Sequence, residues 1–209
     1  MNVLIGNQKG GVGKSTLCIL LANYLTLLHK EDCLILDMDF QSSIHWLWEK
    51  DRANYDNTPL YEVLVMEMEK FNQVKEQIRN TSGHVLIDLP GKMDDNQLIP
   101  VYQSADLVIC PFAYDKITFE STVTFAQVVR HLNKKAVIAF IPNRLKAGVR
   151  YDIRTQVNKI LGSFGEVMPE LPDRVAFQRL DTVSIPEELA GVLKQSFDPL
   201  YEKYLNTAT

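Results

Sequence analysis

Apolar and polar positions along this chain sort into two kinds of run that alternate. The first kind is short and almost wholly apolar, and stops abruptly. Met1-Asn2-Val3-Leu4-Ile5, Cys33 to Asp37, His84 to Asp88, Leu107 to Cys110 (stopped by Pro111) and Ala136 to Ile141 (stopped by Pro142) are of this type. Uninterrupted apolar runs of that length are what strands buried on both faces present. The second kind has helical character. It covers Leu17 to Leu28, Gln41 to Lys50, the stripe Leu64, Met68, Phe71, Val74 and Ile78, a stretch from Thr118 (as cap) to about Leu132, and Tyr151 to Leu161. Asn54 to Pro59 is turn-rich, and Val167-Met168 reads as a weak strand before Pro169 and Pro172. Ser184-Ile185-Pro186-Glu187 has the form of a capping box with proline at the first helical position. Asp198-Pro199 then restarts a terminal helix carrying Leu200, Tyr201 and Tyr204 on one side. Strand and helix alternate from end to end, which predicts an α/β fold: a mainly parallel, twisted sheet with helices on both faces. With no internal repeat, linker or low-complexity tract, residues 1–209 are expected to form one domain.

Between the first strand and the first helix lies Gly6-Asn7-Gln8-Lys9-Gly10-Gly11-Val12-Gly13-Lys14-Ser15-Thr16. Strand, glycine-rich turn and helix is the setting a phosphate-binding loop requires. The glycines let backbone N–H groups turn inward around phosphate oxygens, and the helix N-terminus adds its positive end. Gly10, Gly11, Val12, Gly13, Lys14, Ser15 and Thr16 are the expected nucleotide-binding residues. Lys14 would place a charge on the β- and γ-phosphates, and the Ser15 hydroxyl would ligate Mg²⁺. The first glycine of the generic G-x-x-x-x-G-K-[ST] pattern falls on Gln8, and a second lysine, Lys9, sits just inside the loop.

That arrangement, K-G-G-x-G-K-[ST], resembles the deviant Walker A box of the ParA/MinD family of ATPases. The resemblance implies a P-loop fold, ATP and Mg²⁺ as cofactors, and a homodimer with ATP sandwiched in it. In such proteins the lysine at the position of Lys9 crosses the interface and touches the partner's nucleotide. Physically this is a finger supplied in trans to the phosphoryl-transfer transition state.

Further acids stand at the C-terminal ends of predicted strands, the edge of an open α/β sheet where ligands bind. Asp37-Met38-Asp39-Phe40-Gln41 resembles the family's D-x-D-P-Q pattern, with Phe40 in place of proline. The resemblance puts Asp37 near the metal and gives Asp39 the attacking water. Asp88 is the Walker B candidate, able to bind Mg²⁺ directly or through its water. Leu89-Pro90-Gly91 resembles the D-x-P-G switch, with the Gly91 N–H as the γ-phosphate sensor. Asn143-Arg144 resembles the adenine-contacting pair: an amide matches the adenine edge and a guanidinium stacks on its face. An ordinary turn after a strand also favours asparagine. Asp173 to Phe177, followed by Ser184 to Glu187, resembles the family's C-terminal stretch of R-x-A and S-I/V-x-E.

Composition narrows the function. Net charge is −4, so the whole molecule is no generic polyanion binder. Charge is uneven, however. Acids dominate from Glu31 to Asp106, whereas Arg144, Lys146, Arg150, Arg154 and Lys159 face Asp152 alone in the stretch they span. Arg150, Arg154 and Lys159 are the candidate DNA-binding residues. The three cysteines, Cys18, Cys33 and Cys110, have no metal-like spacing and read as buried thiols of a reducing cytosol. His29, His45, His84 and His131 lack ligand spacing and read as surface or helix-end residues. Trp46 and Trp48 either dock the short helix or form a partner surface. No targeting segment or membrane-length apolar run is visible, so a cytoplasmic, nucleoid-associated protein is expected.

Three functions compete. The first is a ParA-type partition ATPase, or a conjugation-associated relative, that binds DNA non-specifically with ATP and is released by a ParB-like adaptor. The second is a MinD-like positioning ATPase, which needs a basic amphipathic C-terminal helix on a membrane. This chain offers only Lys194 and Lys203 among several acids there, so membrane association is not expected. The third is a metabolic or cluster-carrying P-loop enzyme, which the scattered cysteines disfavour.

Overall fold

The computed structural model describes residues 1–55, 58–91 and 95–206. The chain runs β1 (Asn2–Ile5), α1 (Lys14–Tyr24), β2 (Cys33–Asp37), α2 (Ser43–Tyr55), β3 (Glu62–Val65), α3 (Met68–Arg79), β4 (His84–Asp88), α4 (Ile99–Ser104), β5 (Leu107–Phe112), α5 (Lys116–Leu132), β6 (Val137–Pro142), α6 (Arg154–Leu161), β7 (Glu166–Val167) and α7 (Glu187–Leu200). The strands form one seven-stranded sheet in the order β3-β2-β4-β1-β5-β6-β7, and every pairing is parallel.

Alternation along the strands divides the core in two. Val3, Ile5, Leu86, Leu107 and Ile109 join α1, α2 and α7 on one face. Leu4, Val85, Ile87, Val108 and Cys110 join α3 to α6 on the other. Both faces are apolar because both are covered, which is why these strands read as unbroken runs. Helix α1 is buried on all sides from Leu17 to Tyr24, since it lies between the sheet and α7. Strand β1 sits between β4 and β5, where the strand order reverses, so the loop that follows it opens into the crevice such a reversal creates.

Several local expectations are corrected. Leu64 belongs to β3, an edge strand paired only with β2, rather than to the helical stripe; the helix begins at Met68. Its side chain is half-exposed, and only Val63 of that strand is buried. The cap of α5 is Asp115, whose carboxylate accepts from the Thr118 N–H at 2.9 Å, while Thr118 itself lies inside the helix. Ser184 closes no capping box: its N–H and hydroxyl both go to the Asp181 carboxylate, and α7 starts at Glu187. A carboxylate is the stronger acceptor in both places. Nor does Asp198-Pro199 restart a helix. Helix α7 continues through Pro199 and opens into a wide turn, Tyr201–Leu205, while Asp198 accepts the Tyr24 hydroxyl at 2.5 Å. The turn-rich stretch after Asn54 is helical to Tyr55, and positions 56 and 57 lie outside the described residues. Helix α6 starts at Arg154, not Tyr151, and α4 has no counterpart in the sequence pattern.

Candidate functional site

The glycine-rich loop leaves β1 and closes on the N-terminus of α1. Two glycines are required by conformation: Gly11 has φ +76° and Gly13 φ +94°. Gly13 is also hemmed in, since a Cβ there would fall 2.4 Å from Asn143 Nδ2. The trailing half of the loop is braced from β6. Asn143 Nδ2 donates to the Val12 carbonyl at 2.8 Å, and an Arg144 guanidinium N–H donates to the Gly11 carbonyl at 2.7 Å. Arg144 is itself in the left-handed region, φ +60°. Those two carbonyls are thereby committed to the β6 side of the loop. Asn143 and Arg144, expected at the base, thus also touch the loop.

The leading half is braced from β5 and α5. Asn7 is buried; its Nδ2 donates to the Pro111 carbonyl and to Thr122 Oγ1, both at 2.9 Å, and its Oδ1 accepts the Lys9 N–H at 3.0 Å. Lys9 itself is exposed, and among the described residues its ammonium has no partner. Lys14 behaves oppositely. It is buried, with Nζ 3.8 Å from where a Gly91 Cβ would sit, so it spans from the loop to the segment after β4.

Ser15 Oγ donates to Asp88 Oδ2 at 2.5 Å. Asp88 Oδ1 is buried, with no hydrogen-bond partner among the described residues. Burial pushes the Asp88 carboxyl up to about 7, the Ser15 hydrogen bond opposing, with Asp37 reinforcing and Lys14 opposing more weakly. An orphaned carboxylate oxygen beside a serine hydroxyl is the oxygen donor set a Mg²⁺ ion takes. Asp37 differs. Its Oδ1 accepts from the Asp39 N–H at 3.2 Å and its Oδ2 from Ile44 and His45 at 3.0 and 3.1 Å, so it starts helix α2. Burial raises its carboxyl, and those three backbone donors oppose the rise. Asp39 is the acid that faces the cavity.

Gly10, Gly11, Gly13, Lys14, Ser15, Thr16, Asp39, Gly91, Asn143 and Arg144 line one cavity of about 350 Å³. Asp173, Arg174, Phe177 and Gln178 complete the wall. That volume suits a nucleotide-sized ligand. A second cavity of about 480 Å³ shares Ser15, Thr16, Phe177 and Gln178 and runs on to Trp46 and Leu47. The tryptophans divide: Trp48 is buried, donating Nε1 to the Tyr61 carbonyl at 2.9 Å, whereas Trp46 is 65% exposed with Lys50 over its ring.

Residues 3–185 match the CobQ/CobB/MinD/ParA nucleotide-binding domain. The chain belongs to that family. Among curated protein sequences none matches significantly. Solved structures share the fold at low identity. A plasmid partition protein of Borrelia burgdorferi B31 bound to AMPPNP is 19% identical over 97% of this chain and 98% of that one, with a TM-score of 0.77. MinD from the MinC:MinD complex of Aquifex aeolicus is 15% identical over 97% and 96%, with a TM-score of 0.73. ParA of pNOB8 bound to nonspecific DNA is 18% identical over 78% and 74%, with a TM-score of 0.60. Every residue that lines the first cavity falls within the matched span.

The expected surface residues are less alike than their spacing suggested. Arg154 is bonded to Glu170 and lies over the Tyr114 ring, Arg150 pairs with Asp152 at 3.4 Å, and Lys159 is exposed with no ion pair among the described residues. His84, expected at a surface or helix end, is wholly buried in β4; neither ring nitrogen has a hydrogen-bond partner among the described residues, and burial lowers its pKa. The three thiols are free, and burial raises Cys33 to about 12 and the other two as well, so none is poised as a thiolate. No helix among the described residues is long and apolar enough to cross a membrane. Sequence reasoning passed over Asn7 and Thr122, whose bonds join distant segments, and Gln178, which no motif marks.

Proposed function

We infer that this protein is an ATP-dependent, dimerising ATPase of the ParA kind, one that binds duplex DNA without sequence preference while ATP is bound. One observation carries the dimer: Lys9 is exposed at the mouth of the loop, unpartnered among the described residues, and absent from the wall of its own cavity. A lysine so placed reaches a phosphate on a second copy more readily than its own, which makes ATP part of the interface.

Within one subunit the loop N–H groups and Lys14 would take the β- and γ-phosphates, and Asp39 would orient a water for in-line attack. Ser15 and Asp88, directly or through water, would hold Mg²⁺, which neutralises charge on the phosphate oxygens. Gly91, adjacent to Lys14 and Gly10, is placed to register whether the γ-phosphate is present. Asn143, Arg144 and Phe177 would receive the base. Hydrolysis then weakens the interface, with a ParB-like adaptor as the expected trigger.

The DNA role draws support from the neighbour described as bound to nonspecific DNA and from exposed Lys159. A membrane-bound, MinD-like role is disfavoured by the terminal helix. Leu189, Leu193, Phe197, Leu200 and Leu205 are buried in the core, and Lys203 is bonded to Glu166. Among the described residues of that segment, these apolar side chains are turned to the core rather than to a lipid surface.

The test is binding to random duplex DNA by wild type and Asp39→Ala, with ATP or ADP. ATP should give salt-sensitive binding that Asp39→Ala prolongs, and ADP should give none. Binding to anionic liposomes instead of DNA would favour the positioning role, and indifference to DNA at low salt would end the partition reading.

A further inference from the structure

Asn7 lies between β1 and Lys9. Its side chain is 1% exposed, and both ends of its amide are used. Nδ2 donates to the Pro111 carbonyl and Thr122 Oγ1 at 2.9 Å, with Cys110 Sγ at 3.5 Å; Oδ1 accepts the Lys9 N–H at 3.0 Å. Thr122, also fully buried, donates its hydroxyl to the Thr118 carbonyl at 2.7 Å. A hydrogen-bonded line therefore runs from the first turns of α5, through Asn7, to the backbone of Lys9. Gly6 tightens the same junction, since a Cβ there would fall 2.6 Å from Phe125 Cζ on that helix.

An asparagine bonded to the N–H two residues on dictates how the chain leaves it. Here the asparagine is itself anchored to a strand and a helix, so the direction is set by the body of the protein rather than by the loop. We propose that Asn7 is a positioning residue for Lys9: it pins the leading half of the loop to β5 and α5 so that Lys9 emerges outward, away from its own cavity. This rests on the reading of Lys9 as a residue supplied across the dimer.

General support of the loop is the competing role, and it predicts something different. The trailing half, which forms the cavity wall, is braced separately by Asn143 and Arg144. A defect at Asn7 should therefore spare nucleotide binding and strike hydrolysis, whereas general loosening would strike both.

The variants are Asn7→Ala, Thr122→Val, Thr122→Ser, Lys9→Ala and the double variant of Asn7→Ala with Lys9→Ala. Each is measured for ADP affinity, for kcat and KM of phosphate release with ATP and Mg²⁺, and for its urea midpoint. Asn7→Ala should lower kcat about tenfold, the worth of one or two buried hydrogen bonds, and leave ADP affinity within about threefold of wild type. Thr122→Val should move kcat the same way by less, and Thr122→Ser should restore it. The double variant should be no slower than Lys9→Ala, because both changes remove one function. ADP affinity falling in step with kcat, or the Asn7 and Lys9 effects multiplying, overturns the proposal. If Lys9→Ala hydrolyses like wild type, the trans reading fails and the positioning role with it. If Lys9→Ala is slow but Asn7→Ala and Thr122→Val are not, only the positioning role falls. Should Asn7→Ala not fold, the Thr122 pair decides alone: a drop with valine reversed by serine supports the line, and no difference between them refutes it.

Discussion

Replacing Asp88 with asparagine should remove a pH dependence of folding that runs opposite to ordinary acid denaturation. Asp88 is wholly buried, its Oδ2 takes the Ser15 hydroxyl, and its Oδ1 has no hydrogen-bond partner among the described residues. Burial lifts its carboxyl from 3.8 to about 7, the Ser15 hydrogen bond opposing. The sign follows from proton counting. Between about pH 4 and pH 7 the folded chain keeps a proton that the unfolded chain has released, so stability falls as pH rises through that window and then levels. At 1.36 kcal/mol per pH unit, the ionised carboxylate costs the nucleotide-free protein up to roughly 4 kcal/mol at pH 8. That is a large share of a typical folding free energy of about 5–15 kcal/mol. The amide of the Asp88→Asn variant cannot titrate. Its unpaired NH₂ adds a cost of about 1–3 kcal/mol, but that cost is constant with pH. The Asp88→Asn minus wild-type difference should therefore move in the variant's favour by up to about 4 kcal/mol from about pH 4 to pH 8. Urea unfolding of both proteins in chelator, without nucleotide, reads it directly. Parallel curves across the window would refute the burial argument. Adding Mg²⁺ and ATP should stabilise wild type strongly and the variant far less.

Other consequences are as direct. Gly13→Ala must hold a Cβ at φ +94° and 2.4 Å from Asn143 Nδ2, so ATP affinity should fall more than about tenfold; titration with a fluorescent ATP analogue reads it, and unchanged affinity would contradict the loop geometry. His84 has a lowered folded pKa, so its stability contribution is present above about pH 6.5 and lost as pH falls below it; His84→Met should flatten that limb of the urea midpoint curve. Arg154→Ala should weaken DNA binding less than Lys159→Ala, because Arg154 is already held by Glu170. Its half-exposed ion pair should be worth under about 1 kcal/mol in unfolding. The reverse ranking in a salt-titrated DNA assay would contradict the ion-pair argument, and no effect of either change would move the DNA face elsewhere.

What could be read along the chain was what short-range pattern encodes. The β1–loop–α1 unit was legible because the buried strand, the glycines and the apolar helix each have a local cause. The ends of β2 and β4 were legible for the same reason, each closing an apolar run with an acid. Strand β3 was not, because it lies at the sheet edge with one buried residue, and Leu64 sits a helical step before Met68. The caps at Thr118 and Ser184 were misread because Asp115 and Asp181, three residues earlier in each case, are better acceptors. The resemblance set Asp37 near the metal and Asp39 at the attacking water; Asp37 instead accepts from the backbone that starts α2, a bond no motif encodes, while Asp39 faces the cavity. Asn7 was invisible because its anchors lie more than a hundred positions away, at Cys110, Pro111 and Thr122.

The central claim is that the γ-phosphate joins two chains. Solution mass by light scattering, for wild type and Asp39→Ala with Mg²⁺ and either ATP or ADP, tests it most directly. Asp39→Ala with ATP should have the mass of two chains, and either protein with ADP the mass of one. A single-chain mass in all four conditions, or two chains irrespective of nucleotide, would contradict it.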